Sequence, residues 1–177
     1  MTPTPPAPPQ NNIVDTLFEK ILTNTYTLNQ IQRKIRLFKE FINQKLFTSA
    51  APDFENVKPE DVTYVKWLKT LDPNIINQFT SQNANDLFRQ LDAKVTSLKV
   101  LLIYVAFDIP DSSLTLLGGL LRGNYGPQFV FDIRYDPSLI GGAALVWNGV
   151  YKDYSVKKSI DDKKQVVLQE IQTFMKH

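Results

Sequence analysis

Apolar residues recur three and four positions apart along the first part of the chain, which predicts helices that bury one face. The pattern begins after Asn12, which we interpret as a helix N-cap. It is interrupted at residues 23–27, where strong helix formers are scarce, so a kink or break is expected there. The apolar seam consists of Val14, Leu17, Ile21, Leu28, Ile31, Ile35, Phe38 and Ile42. Such a seam is typical of a helical hairpin packed on its own core, which we favour, or of an intermolecular coiled coil.

Later helix boundaries are indicated by prolines and caps. Pro59 is followed by two acidic residues, which is typical of a first helical turn. Asp72-Pro73 is expected to stop that helix and start another. Asn83 or Asn85 is expected to cap a third helix. We therefore predict that residues 12–96 form a helical domain.

The pattern changes near residue 97 from helical spacing to strands rich in β-branched and aromatic residues. We predict strands at residues 98–107 and 128–135, followed by two apolar runs at residues 143–147 and 150–156. Asn148-Gly149 lies between the last two and predicts a hairpin, because both turn residues must adopt positive φ. A helix capped by Ser112 or Ser113, ending in a turn at residues 123–127, is expected after the first strand.

The last segment, residues 157–176, is predicted to be helical, with Ile160, Val167, Ile171 and Phe174 on one stripe. We interpret residues 97–177 as a small β-α-β-β-α domain with a three-stranded mixed or antiparallel sheet. The predicted fold class is therefore α+β. Residues 1–11, which contain five of the eleven prolines, are expected to be a disordered tail.

The composition argues against catalysis. The chain has no cysteine, and its single histidine is His177. Thiolate nucleophiles and Cys-ligated zinc are therefore excluded, and a histidine general base is not expected. The net charge of +2 comes from 20 basic and 18 acidic residues that are interleaved. We expect a soluble, non-catalytic binding subunit without a cofactor, and we keep a nucleic-acid binder as an open alternative.

Two groups of residues could suggest ligand chemistry. The glycines at 118, 119, 123 and 126 lack the spacing of a phosphate-binding loop, so we do not expect nucleotide binding there. Close approach of the backbone to a neighbour is one explanation for the helical pair Gly118-Gly119. Asp132, Asp136 and Asp153 lack the spacing of a calcium loop, and we interpret them as turn and surface residues. No metal ligands are predicted.

The most informative segment is a turn followed by a hairpin. Asp136-Pro137 is typical of a turn that aspartate stabilises by hydrogen bonding. Leu139 and Ile140 are expected to plug this turn into the core. Glycines at the start of the next strand allow two backbones to approach closely. The complete motif consists of Asp136, Pro137, Leu139, Ile140, Gly141, Gly142, Asn148, Gly149, Asp153 and Ser155.

This motif resembles the C-terminal signature of the delta subunit of ATP synthase, also known as the oligomycin-sensitivity-conferring protein family. The resemblance covers residues 97–160, including the order of elements around Tyr104 and Leu114. It implies a stator subunit of a rotary F-type ATP synthase, which takes part in ATP synthesis and proton transport. Such a subunit lies at the cytoplasmic face of the cell membrane, held there by the complex.

The resemblance also implies partners. Members of the family bind the alpha subunits of the catalytic head through their helical domain and the b-subunit stalk helices through their C-terminal domain. On that basis we predict that Ile31, Ile35, Phe38, Ile42 and Trp67 take part in partner binding. The alternative is a helical adaptor or scaffold protein of another complex that reuses the delta C-terminal domain.

Overall fold

A computed structural model describes residues 13–48 and 58–175. It confirms the α+β fold class, with helices first and a mixed sheet with helices after them. The chain divides into two compact units. The helical unit comprises the described residues up to Thr25 together with Asn29–Leu98, and the α/β unit comprises Tyr26–Leu28 and Lys99–His177. Asn12, the proline-rich tail and the segment at 49–57 lie outside the described residues.

Five α-helices begin in the first 98 residues, as far as these are described. They are α1 (Ile13–Leu22), α2 (Leu28–Phe47), α3 (Val62–Lys69), α4 (Pro73–Asn77) and α5 (Ala84–Thr96). The predicted break between α1 and α2 is confirmed, and Asn24 there adopts φ 55°. Pro59 begins a single 3-10 turn before α3. The helix predicted to start at Asp72-Pro73 is α4, and the Asp72 side chain caps it by accepting a hydrogen bond from the Asn74 amide.

The apolar seam forms the core of the helical unit, as the hairpin interpretation predicts. Seven of its eight residues are at least nine-tenths buried: Val14, Leu17, Ile21, Ile31, Ile35, Phe38 and Ile42. An aromatic cluster adds to the core, with the Phe38 ring 5.1 Å from Phe79 and 6.4 Å from Phe88, both edge to face. Such pairs stabilise a core beyond the area that they bury.

The sheet of the α/β unit has four strands, so the predicted count of three is wrong. The strands are β1 (Lys99–Val105), β2 (Phe129–Tyr135), β3 (Gly142–Trp147) and β4 (Val150–Ser155), in the order β2-β1-β3-β4. Each apolar run beside Asn148-Gly149 forms a strand of its own. β1 pairs in parallel with β2 and antiparallel with β3, and β3 pairs antiparallel with β4. The sheet is therefore mixed, and Asn148 and Gly149 both have the predicted positive φ.

One face of the sheet packs against helix α6 (Asp111–Tyr125), which connects β1 to β2. The centre of this core contains Ile103, Val105 and Phe131, and leucines of α6 together with Tyr26 pack around it. Gly118 lies against Tyr26, and a Cβ at this position would overlap the Tyr26 ring. The close approach considered for Gly118-Gly119 is therefore found at Gly118, whereas a Cβ on Gly119 would meet no atom within 4 Å.

Two boundaries of α6 differ from those predicted. The helix begins at Asp111 after Pro110, so neither Ser112 nor Ser113 is the cap. It continues to Tyr125, and Gly126 ends it with φ 96°, so the predicted turn at 123–127 is shorter.

Candidate partner-binding surface

The turn that begins at Asp136 is built as its sequence indicates. The Asp136 amide donates to the Val105 carbonyl (2.8 Å), which fixes the turn to the end of β1. The Asp136 carboxylate accepts from the Ser138 amide (3.0 Å), and Pro137–Leu139 form a 3-10 turn. Leu139 is buried. The turn thus connects β2 to β3 with one apolar anchor.

Ile140 does not plug the core, contrary to the prediction. Its side chain is 65% exposed, and its backbone has φ 67° and ψ −40°. This conformation is close to the γ-turn of positive φ, which is rare and strained, particularly for a β-branched residue. The turn can bury only one of two adjacent side chains, and Leu139 occupies that place. Ile140 therefore adds apolar surface at a strained position.

Gly141 and Gly142 allow β3 to start directly beside the end of β4. Gly142 has φ 75°, and a Cβ there would overlap the Tyr154 carbonyl oxygen and lie 3.2 Å from the Ser155 Cα. The Gly141 carbonyl accepts from the Val156 amide (3.0 Å). Backbone groups at the start of β3 therefore fix where β4 ends and where the next helix begins.

Asp153 and Ser155 organise that junction. The Asp153 carboxylate accepts from the Ser155 amide (2.8 Å) and from the Tyr151 hydroxyl (3.2 Å). These bonds, chiefly those from Ser155, lower the pKa of Asp153. Partial desolvation, followed by the hydrogen bond to Asp153, raises the pKa of Tyr151. Ser155 is almost fully buried, and its Oγ accepts from the Lys158 amide (3.1 Å).

Ser155 is thereby the N-cap of the final helix, α7 (Val156–Phe174), which confirms the predicted terminal helix. α7 has 19 residues, and none of them is buried. The predicted stripe of Ile160, Val167, Ile171 and Phe174 is found on this helix, and every member is exposed. An amphipathic helix normally buries its apolar face. The motif from Asp136 to Ser155 therefore holds a helix whose apolar face remains open.

We define the α7 stripe as the side chains at i, i+3 and i+4 spacing along this face. They are Val156, Ile160, Lys163, Lys164, Val167, Leu168, Ile171 and Phe174. The five aliphatic members are 43–54% exposed, and Phe174 is 83% exposed. A shallow groove runs along the stripe from Val156 to Leu168, with Tyr154 and Ser159 also in its lining.

Exposed large apolar side chains are concentrated in the α/β unit. Among the described residues, only Phe47 and Val62 belong to the helical unit, whereas 17 others of this kind belong to the α/β unit. Contiguous exposed apolar surface on a folded protein is a mark of an interaction site. The distribution favours the α/β unit, and α7 in particular, as the binding element.

The five residues predicted to bind a partner lie elsewhere. Ile31, Ile35, Phe38 and Ile42 are buried in the helical core and offer no surface while that core is closed. Trp67 is half-buried; its Nε1 donates to the Lys20 carbonyl (3.3 Å), and the Lys34 ammonium lies 4.8 Å from its ring. Their role in partner binding stays a prediction. The sequence pattern predicts the apolar positions of α7, but it does not mark this helix face as a binding site. Lys163, Lys164 and Leu168 were not among the predicted residues.

The aspartates considered for metal binding have structural roles. Asp132 pairs with Arg134 (3.1 Å), while Asp136 and Asp153 accept backbone hydrogen bonds in turns. Within residues 13–48 and 58–175, no group of three or more His, Cys, Asp or Glu side chains is arranged to hold a metal ion. No helix in the same ranges combines the length and apolarity required to span a bilayer.

Comparison with known proteins gives one informative similarity. No protein-family model matches the chain. The chain is 29% identical over 91 residues to ATP synthase subunit delta of Verminephrobacter eiseniae (strain EF01-2). The aligned region is 51% of this chain and 47% of the relative, so the chain spans about half the length of the curated protein that it matches. This similarity supports a delta-like relationship over about half of the chain.

Proposed function

We propose that this chain is a delta-like stator subunit of a rotary F-type ATP synthase, where it links the catalytic head to the peripheral stalk. The observation that carries the proposal is the similarity to ATP synthase subunit delta. The Asp136–Ser155 motif, which resembles that family, agrees with it by capping and holding α7. No catalytic group is needed for this role.

A stator has to hold the head against the torque of the rotor, so it needs stable docking surfaces. The α7 stripe offers such a surface, because its apolar side chains are exposed at helical spacing over most of the 19 residues. Docking of an amphipathic helix uses anchors three and four residues apart. We assign the α/β unit to the stalk helices of the b-subunit and the helical unit to the N-terminus of an alpha-subunit. The chain would then lie at the cytoplasmic face of the cell membrane through the complex.

The two tryptophans allow these assignments to be tested separately. Trp67 belongs to the helical unit, and Trp147 ends β3, with its ring 5.1 Å from Phe129. Variants Trp67→Phe and Trp147→Phe each leave one reporter. We expect the cognate alpha N-terminal peptide to change Trp67 emission and the C-terminal helix of the b-subunit to change Trp147 emission. The proposal would be contradicted if neither peptide showed saturable binding.

A second function remains a candidate because no family model matches and the similarity covers half of each protein. In that case the chain is an adaptor of another complex that reuses a delta-like C-terminal unit. It would bind helices through α7 but would not bind the ATP synthase partners. The peptide titration separates the two functions, since the adaptor predicts no response to either peptide.

A further inference from the structure

The middle of the α7 stripe is charged, although both of its ends are apolar. Lys163 and Lys164 follow Val156 and Ile160 and precede Val167 and Leu168 on the same helix face. Both lysines line the groove beside α7 together with these apolar side chains. A partner helix that covers the stripe must therefore cover two ammonium groups.

Neither lysine has an anionic partner within the described part of the chain. Lys158, five residues before Lys163, pairs with Asp162 at 3.1 Å. No carboxylate is paired with Lys163 or Lys164 in the described ranges, and the side chains that share their groove are apolar or hydroxyl-bearing. An ammonium group that is removed from water without a partner is strongly destabilising. A purely apolar helix would impose that penalty, whereas a helix with carboxylates at the facing positions would avoid it.

The same lysines disfavour a second copy of this chain as the occupant. In a parallel in-register pair of α7 helices, or in an antiparallel pair centred on residues 163 and 164, the four ammonium groups would meet. Like charges placed opposite each other across an interface are strongly unfavourable. A lysine in an otherwise apolar seam is also a known device for specifying the pairing of helices.

We propose that the α7 stripe binds an amphipathic helix of another protein whose apolar stripe is interrupted by acidic residues opposite Lys163 and Lys164. Charge complementarity carries this choice of occupant. The proposal specifies the kind of helix that the stator function leaves open, and in that respect it rests on the proposed function. The apolar ends of the stripe supply affinity, and the lysine pair selects the partner and its register.

The test uses the full chain and three designed helical peptides, each about 28 residues long, with leucine and isoleucine at the seam positions. The peptides differ only at two central seam positions, which carry Glu-Glu, Gln-Gln or Lys-Lys. Binding is measured by calorimetry at concentrations at which sedimentation shows the peptides to be monomeric. We expect the Glu-Glu peptide to bind at least about tenfold more tightly than Gln-Gln and to lose this advantage in high salt. Equal binding of all three peptides, or binding of none, would overturn the proposal.

Charge reversal on the protein provides the reciprocal experiment. Lys163→Glu/Lys164→Glu should invert the preference, so that the Lys-Lys peptide binds best. Lys58→Glu/Lys66→Glu changes the net charge equally at exposed positions of the helical unit and should leave the preference unchanged. Val167→Asp should weaken the binding of all three peptides without unfolding the protein, because Val167 is half exposed.

Outcomes of these experiments are independent of membership in an ATP synthase. If charge reversal inverts the preference among the designed peptides but the b-subunit helix does not bind, the site for an acidic helix is supported and the stator role is refuted. Binding of the b-subunit helix without sensitivity to charge reversal would do the opposite. A dimer of the full chain that dissociates in Val167→Asp would assign the stripe to a second copy and overturn the inference.

Discussion

Gly142 is the position at which the sequence motif most directly determines the placement of α7. In Gly142→Ala, the new Cβ meets two separate obstacles. The backbone has φ 75°, a region that costs an L-residue about 1 to 2 kcal/mol. The Cβ also falls on the Tyr154 carbonyl and near the Ser155 Cα, and these backbone atoms cannot rotate away. Overpacking of this kind typically costs about 1 to 3 kcal/mol.

A control for the first obstacle is available in the same sheet. Gly149 has φ 77°, and a Cβ there would meet no atom within 4 Å. In Gly149→Ala the free energy of unfolding should therefore fall only by the cost of the positive φ, about 1 to 2 kcal/mol. In Gly142→Ala the free energy of unfolding should fall by about 2 to 5 kcal/mol, the sum of the cost of the positive φ and the cost of the clash. In Gly141→Ala, the new Cβ meets only the Val156 side chain, with Cγ2 at 3.1 Å and Cβ at 3.8 Å. This side chain can shift, so the loss of stability should be smaller.

Urea denaturation gives the free energy of unfolding of each variant, and the difference between Gly142→Ala and Gly149→Ala isolates the clash. The clash also displaces Ser155, so Gly142→Ala should fray α7 and lower helical circular dichroism. If Gly142→Ala were no less stable than Gly149→Ala, the close approach of β3 and β4 at this point would be refuted, and with it the account of the motif.

Five other substitutions test separate parts of the structure, each by urea denaturation. Gly118→Ala should destabilise by about 1 to 3 kcal/mol because of the Tyr26 ring, whereas Gly119→Ala should stabilise by up to about 1 kcal/mol because α6 gains a better helix former in open space. Ser155→Ala should cost about 1 kcal/mol through the lost cap of α7, with a reduced helical signal. Ile140→Gly should stabilise by about 1 kcal/mol by relieving the strained φ; a loss of stability would mean that the exposed side chain has a structural role. Asp153→Asn should be less stable than the wild type above the ordinary aspartate pKa of about 4, and this difference in stability should shrink as the pH falls through the lowered pKa of Asp153. A difference that stays constant with pH would contradict a stabilising role of the ionised carboxylate.

Local signals determined much of what could be predicted. The break after α1, the helix start at Asp72-Pro73 and the Asn148-Gly149 hairpin each depend on the chemistry of a few neighbouring residues. The burial of the seam also followed from its spacing, because an apolar stripe of that regularity requires a covering surface. The predicted helical part and the mixed sheet therefore agree with the structure.

The errors, and the role of Gly118, depend instead on how the folded chain packs. The strand count failed because the runs on both sides of the hairpin turn had to be assigned to one sheet. Gly118 could not be explained until Tyr26, far earlier in the chain, was known to lie against it. Ile140 was assigned to the core because its polarity equals that of Leu139, although the turn buries only one of them.

The candidate site could likewise be predicted only in part, because the sequence does not show which surfaces are covered in the fold. The stripe on α7 was visible in the sequence, but its exposure was not, since an amphipathic pattern is the same whether the covering surface is in the chain or in a partner. Conversely, Ile31 and Phe38 of α2 were predicted to bind a partner, but the core of the helical unit covers them. Only the fold distinguishes the two cases.

The measurement that tests the central claim most directly is the composition of the native assembly. A tagged copy of the chain, expressed in the cells that encode it, is purified by affinity from membranes solubilised in mild detergent. Our account predicts that the alpha, beta and b subunits are recovered with it in constant proportion and that an untagged control recovers none of them. Recovery of the tagged chain with other proteins, or alone, in the absence of all three subunits would contradict the assignment to an ATP synthase stator.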